Sequence, residues 1–258
     1  MAVSDVQIRS GQFTWEFTGL ANLRQVFSEG DSWQAVGNTL FFIGATVLLS
    51  LILGLVLALL VDRAVKLLPI ARNVLIWPAV VAPVVVSLMW LLILSPTAGG
   101  LNKVLRTLSL PEQGWIADGP SAMAAIVLVD VWHWTPVVFL FLYTALKAID
   151  ASTLEAARVD GAKEVELIRF VVLPALKPAI AAVVVVRIIM GVKAFDEMYL
   201  LTRGGPDGAT TLVSQHIKTL FFDNLELGEA SAFSLAVVLA TAVILGVFLF
   251  FRSKADAR

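Results

Sequence analysis

Five stretches of this chain carry few or no charges, and each can cross about 30 Å of hydrocarbon, which takes roughly 20 residues at helical rise. They run over 37–61, 73–94, 119–146, 178–201 and 230–251. At this length helix is the open choice, because lipid cannot satisfy an unpaired strand edge and the ten-residue alternation of a barrel strand is absent. A chain that is 59% hydrophobic and 15% charged also lies outside the range of ordinary soluble domains. The expectation is therefore an all-α polytopic membrane protein with five transmembrane helices. Residues 1–36 form an external N-terminal segment, 37–251 the membrane domain and 252–258 a tail.

Lys and Arg, counted loop by loop, set the orientation. Arg63, Lys66 and Arg72 crowd the first loop, Lys147, Arg158, Lys163, Arg169 and Lys177 the central one, and Arg252, Lys254 and Arg258 the C-terminus. The alternate segments hold fewer: Arg9 and Arg24, Lys103 and Arg106, Arg203 and Lys218. The positive-inside bias places the first set, and with it the C-terminus, in the cytoplasm. The scattered basic residues and a net charge of −1 give no nucleic-acid footprint. No cysteine is present, so disulfides, thiolate metal sites and cysteine nucleophiles are excluded. The N-terminus lacks the basic and apolar regions of a signal peptide.

Catalytic motifs are missing. Without a Gly-x-x-x-x-Gly-Lys-Ser/Thr loop the chain cannot cradle nucleotide phosphates by that route, and His133 and His216, the two histidines, are not spaced as a zinc pair. No metal site and no cofactor is expected in this chain.

Ionisable groups inside apolar spans say more, since a charge near the bilayer centre costs about 2.5–3.5 kcal/mol even on the lenient scale and must face a partner or a cavity. Asp130 and His133 fall near the middle of the third span, Arg187 near the middle of the fourth, with Lys193 and Asp196 further out. Asp130 can pair with Arg187 or Lys193, and Lys193 with Asp196 or Glu197 at helical spacing. One reading is a structural ion pair. The other is a polar solute path near the midplane, with Trp132, Trp134, Phe195 and Tyr199 as apolar platforms beside it.

Between the third and fourth spans runs LEAARVDGAKEVELIRFVVLP, a polar stretch expected to form a helix-turn-helix on the membrane surface, with Gly161 permitting the turn. Glu155-Ala156-Ala157, Gly161 four residues later, and Val171-Val172-Leu173-Pro174 resemble the EAA loop of ABC importer permeases; only Val171 departs, where the family usually has Ile. The resemblance implies that the loop, 150–174, docks a cytoplasmic ATPase through Glu155, Ala156, Ala157, Asp160, Gly161, Ala162, Leu173 and Pro174. The charge count places this loop in the cytoplasm independently of the motif.

A second resemblance covers nearly all of the chain. Phe195-Asp196, Tyr199, Leu201-Thr202 and Gly204-Gly205-Pro206, with Asn38-Thr39 and Gly228-x-Ala230-Ser231-Ala232, look like the signature of the MalF-like and UgpA-like half of carbohydrate importers. It implies a MetI-like permease fold in a bacterial inner membrane, a second, MalG-like permease, two ABC ATPases carrying ATP and Mg, and an extracytoplasmic solute-binding protein. Such permeases usually have a further helix before the segment matching 17–23, so this chain looks as though it begins after it. A sugar is the implied solute, with a polyol or glycerol-3-phosphate-type compound as the alternative. A secondary transporter should show internal symmetry, and no repeat is visible. A membrane enzyme lacks any nucleophile, base and metal set.

Three outer segments carry amphipathic spacing: Leu20, Leu23, Val26 and Phe27; Leu101, Val104, Leu105 and Leu108; Val213, Ile217, Leu220 and Phe221. Each is expected to pack as a short helix against the outer ends of the spans, with docking of the external binding protein as the alternative.

Overall fold

The computed structural model describes residues 1–9, 12–63 and 75–256. Two antiparallel strands, β1 (Ser4–Arg9) and β2 (Gln12–Phe17), precede a helical body. Helix α1 (Ala21–Ser28) leads into α2 (Gly30–Arg63), so the first span begins within the stretch expected to be external. Among the described residues, four helices are long and apolar enough to cross a membrane: Gly30–Asp62, Gly119–Lys147, Glu164–Val192 and Leu227–Phe250. Helix α11 (Leu227–Asp256) also takes up most of the expected tail. The basic residues Lys66 and Arg72 lie outside the described residues.

The second expected span is not one helix. Residues 75–80 are helical, 81–82 break, and α3 (Pro83–Ile93) resumes. Proline is the cause: Pro83 has no N–H to continue the ladder, and Val85 and Val86 both bond back to the Ala82 carbonyl, at 2.9 and 3.1 Å. The fourth span also differs. Helix α8 (Leu173–Val192) ends nine residues before the expected boundary at 201, and a separate short helix α9 (Asp196–Leu201) follows. Arg187 thus lies in the last turns of its helix rather than at the middle.

The third span matches its expectation closely. Helix α5 (Gly119–Lys147) is capped by Asp118, whose carboxylate accepts the Ser121 N–H at 2.9 Å. It forms the centre of the molecule and packs most closely on α2. Gly54 of α2 makes this possible, because a Cβ there would lie 2.7 Å from Val138 Cγ1. Phe42, Val86, Ile126, Val129, Met198 and Leu212 form one core on the side of α9; Ala58, Val138, Phe139, Leu142 and Val183 form another nearer the other end. At that end Lys147 Nζ lies 2.5 Å from Asp62 Oδ1.

Of the three outer amphipathic segments, two pack as expected. Val26 of α1 joins Val213 and Leu220, from α10 (Val213–Lys218) and the π turn after it, against Ala230 and Phe233 of α11. The third packs only in part: α4 (Gly100–Thr107) buries Asn102 and rests Leu101 on the core, Leu105 is half-buried, and Val104 and Leu108 are exposed. Asn102 uses its whole amide, donating to the Pro96 and Gln113 carbonyls and accepting from Gln113 N and Trp115 Nε1. A completely satisfied buried amide outweighs the apolar pattern in deciding which face turns inward.

Candidate functional site

Two regions hold the sequence-selected residues. The first lies at the depth of α5's midpoint, where Asp130 and Arg187 are almost fully buried and form an ion pair through Oδ1 and Nη2. The Nε and Nη1 of Arg187 have no partner among the described residues. His133, one turn from Asp130, is completely buried; its Nδ1 lies 3.1 Å from Glu197 Oε1 and its Nε2 3.2 Å from the Val81 carbonyl oxygen. Trp134 stacks at a tilt on His133, with ring centroids 4.5 Å apart, and its indole lies beside the Glu197 carboxylate.

The irregular backbone on either side of this cluster obeys the rule that polar groups in hydrocarbon must find partners inside the protein. In an unbroken helix the Val81 carbonyl would accept from residue 85; with that bond diverted to Ala82, His133 is the group that reaches it. At the break after α8 the Ala194 carbonyl accepts instead from the Ser214 hydroxyl.

Helical geometry separates the two tryptophans proposed as platforms. Trp132 stands about 200° around the helix from Asp130 and faces an open apolar groove of about 1070 Å³ between α2, α3 and α5. There it meets Trp90 edge-on at 5.6 Å. Phe195 and Tyr199 stack at 4.9 Å and 15°, with Lys218 Nζ 5.3 Å from the Tyr199 ring centre. Lys193 is exposed and Asp196 half-buried in the first turn of α9. The structure therefore brings Asp130, His133, Trp134 and Arg187 together and leaves Trp132 on another face.

The glycine-proline signature fastens the outer loop to the first span. Asn38 Nδ2 donates to the Gly208 and Thr211 carbonyls, Thr39 Oγ1 accepts the Val213 N–H at 2.9 Å, and Gln215 Nε2 donates to the Arg203 carbonyl. Sequence reasoning named Glu197 only as a possible mate for Lys193, and missed Val81 and Ser214. A carboxylate in an apolar stretch marked Glu197; nothing local marked the other two.

The second region is the loop between the third and fourth expected spans. Helix α6 (Ala151–Val159) starts at Asp150, whose carboxylate accepts the Ser152 N–H at 2.9 Å, a bond that holds its pKa below the usual aspartate value. It ends at Gly161, which has φ +86. The Gly161 and Ala162 N–H groups donate to the Arg158 and Ala157 carbonyls, closing the helix as a glycine C-terminal cap does. The expected second arm is not a surface helix. Helix α7 (Glu164–Leu167) runs through a π turn (Ile168–Val172) directly into α8. Pro174 follows the π turn and has no N–H to give it, which is why the ladder widens there. Leu173 and Pro174 are thus the first turn of α8, inside the apolar helical run Glu164–Val192, while Glu155, Ala156 and Asp160 are exposed and Ala157 and Ala162 half-exposed. No residue of α6 is buried; Val159 is 87% exposed, and Val165 and Phe170 are also largely uncovered.

Residues 50–256 match the family model for the binding-protein-dependent transport system inner membrane component. The chain is 34% identical over 229 residues to the trehalose/maltose transport system permease protein MalF of Thermococcus litoralis, covering 89% of this chain and 76% of that one. It is 33% identical over 237 residues to the sn-glycerol-3-phosphate transport system permease protein UgpA of Brucella abortus, covering 91% and 80%. The fold matches that of a bacterial ABC transporter involved in the import of the acidic polysaccharide alginate, with a TM-score of 0.84 at 21% identity over 92% of this chain and 84% of that one. Four apolar helices among the described residues, one of them the packed central α5, with a capped loop between the third and fourth expected spans, thus belong to a member of the binding-protein-dependent inner membrane permease family of ABC importers, with the MetI-like fold.

Proposed function

We propose that this chain is the MalF-like half of a sugar importer. It pairs with an unlike, MalG-like permease, two copies of an ATPase bind α6 from the cytoplasm, and an extracytoplasmic binding protein delivers the solute. ATP and Mg act on the ATPase, and this chain holds no cofactor of its own. The observation that carries the reading is the EAA-like loop: a nine-residue helix capped at both ends, tethered to the core through Leu154 and with no residue fully buried. Isolated helices of this length are marginal in water, so the caps hold a shape that only a partner makes useful.

For the solute, the aromatic pairs Phe195–Tyr199 and Trp90–Trp132 offer flat apolar faces of the kind a sugar ring stacks on. Arg187 is already neutralised by Asp130, which favours an uncharged sugar. The unpartnered Nε and Nη1 of Arg187 support a second reading, a phosphorylated polyol whose phosphate those N–H groups would take. Both make the named relatives' solutes the right probes. The assembled complex in proteoliposomes, with its binding protein, is assayed for ATP-driven uptake of labelled trehalose, maltose and sn-glycerol 3-phosphate. Saturable uptake of a disaccharide supports the first reading and uptake of the phosphate alone the second; uptake of neither class, with the ATPase active, overturns both. Topology is checked with single cysteines at Ser109 and Ala151 and an impermeant thiol reagent. Labelling from outside at Ser109 alone is expected, and labelling at Ala151 instead would invert the orientation and remove α6 from the ATPase.

A further inference from the structure

The imidazole of His133 stands between two acceptors on different elements. A carbonyl oxygen only accepts, so the contact with Val81 needs a proton on Nε2. The contact with Glu197 needs one more proton, on Nδ1 with the carboxylate ionised or on the carboxyl with Nδ1 accepting. In either arrangement the pair is neutral as a whole. Asp130 and Arg187, the other charged groups facing it, neutralise each other. A buried four-residue set without net charge avoids the penalty of an uncompensated ion in hydrocarbon.

The two acceptors are also the two places where the membrane helices break. Val81 ends the helical run of 75–80 before Pro83, and Glu197 opens α9 after the interruption between Val192 and Asp196. His133 belongs to α5, which runs unbroken across the membrane and supplies the core. We propose that His133 is a positioning residue: its ring, sharing one proton with Glu197, pins both helix breaks to the rigid central span. This sets where α9 presents Phe195 and Tyr199. The consequence for transport rests on the proposed reading that this aromatic pair faces the solute; the pinning itself does not.

The test uses hydrogen exchange, read by mass spectrometry, on the complete complex in lipid nanodiscs, with uptake measured on the same preparations. His133→Ala should raise exchange in 75–82 and in 193–201 together, by about tenfold or more, while 213–218 stays as in the parent. Glu197→Gln should keep both segments within about twofold of the parent, because its amide N–H can donate to Nδ1 while Nε2–H stays on Val81. Glu197→Ala should loosen 193–201 and spare 75–82. If His133→Ala does not assemble, His133→Leu replaces it. A leucine fills the space but has no N–H for the Val81 carbonyl and no polar atom for Glu197, so exchange must rise at one break or both. Unchanged exchange at both breaks in the histidine variants, or a rise in Glu197→Gln equal to that in Glu197→Ala, overturns the proposal. Opened breaks with parental uptake would leave the pinning standing and remove Phe195 and Tyr199 from the solute path.

Discussion

The cluster around α5 and the EAA-like loop contain similar residue types and treat them in opposite ways. Around α5 every charged side chain finds a mate inside the chain: Asp130 with Arg187, His133 with Glu197. On α6 and α7 the charges face water, and the apolar side chains Val159 and Val165 do too. Arg158 and Glu164, 3.5 Å apart, are both about half exposed, and such a pair contributes little. The first region pairs its opposite charges within the single chain. The second is complete only in its backbone, where caps and a glycine turn do the ordering that burial does elsewhere. Damage to the cluster should therefore appear in the isolated permease, and damage to the loop only in the assembled complex.

The sharpest break of that comparison is Arg187→Ala, which leaves the Asp130 carboxylate buried without its counter-ion. A loss of about 3–5 kcal/mol is expected, seen as a large drop in the melting temperature and yield of the purified permease. Pairing it with Asp130→Asn should recover much of the loss. A single variant as stable as the parent would show that the pair is not buried as described.

Gly161→Val comes next. No atom lies within 4 Å of a Cβ at Gly161, so the cost is purely that of holding a branched residue at φ +86, about 1–2 kcal/mol. The isolated permease should melt as the parent does, whereas solute-stimulated ATP hydrolysis in the complex should fall at least tenfold, about 1.4 kcal/mol in the coupling step. Normal coupling in this variant would separate the loop from the ATPase.

Asp150→Ala should have the smallest effect. It removes the cap of α6, and a few-fold loss of stimulated ATPase activity with unchanged melting is expected. The Asp150 carboxyl titrates below the ordinary aspartate value because Ser152 N–H donates to the ionised form. The cap's contribution is thus fully present above the ordinary value and disappears only as pH falls through the lowered one. Parent and variant should differ equally at pH 6 and 8; a difference that vanishes at pH 6 would point to another group.

Much of this was legible in the chain itself. A run without charge has one solution in lipid, so the stretches 37–61, 119–146 and 230–251 are all helical, the middle one ending within a residue of its expected bounds while α2 begins at Gly30 and α11 runs on to Asp256. The first arm of the loop was also legible, because Gly161 acts through local backbone chemistry that needs no distant partner; the second arm, expected on the surface, instead continues through the π turn into α8. The interruptions were harder. Pro83 was visible in the second span, yet whether a proline kinks a membrane helix or breaks it depends on a neighbour able to take the freed carbonyl, and that neighbour, His133, is 52 residues away.

The sequence by itself determined that the chain crosses a membrane and where its EAA-like loop turns, since hydropathy and turn chemistry are properties of short segments. Tertiary structure alone decided the partners. Which of Arg187 or Lys193 neutralises Asp130, why Glu197 answers to His133 instead of Lys193, and why α4 turns Asn102 inward and leaves Val104 exposed all depend on contacts between separate elements. Pairing at low dielectric is settled by distance and by the demand that no polar group be left unsatisfied, and neither is written in any one segment.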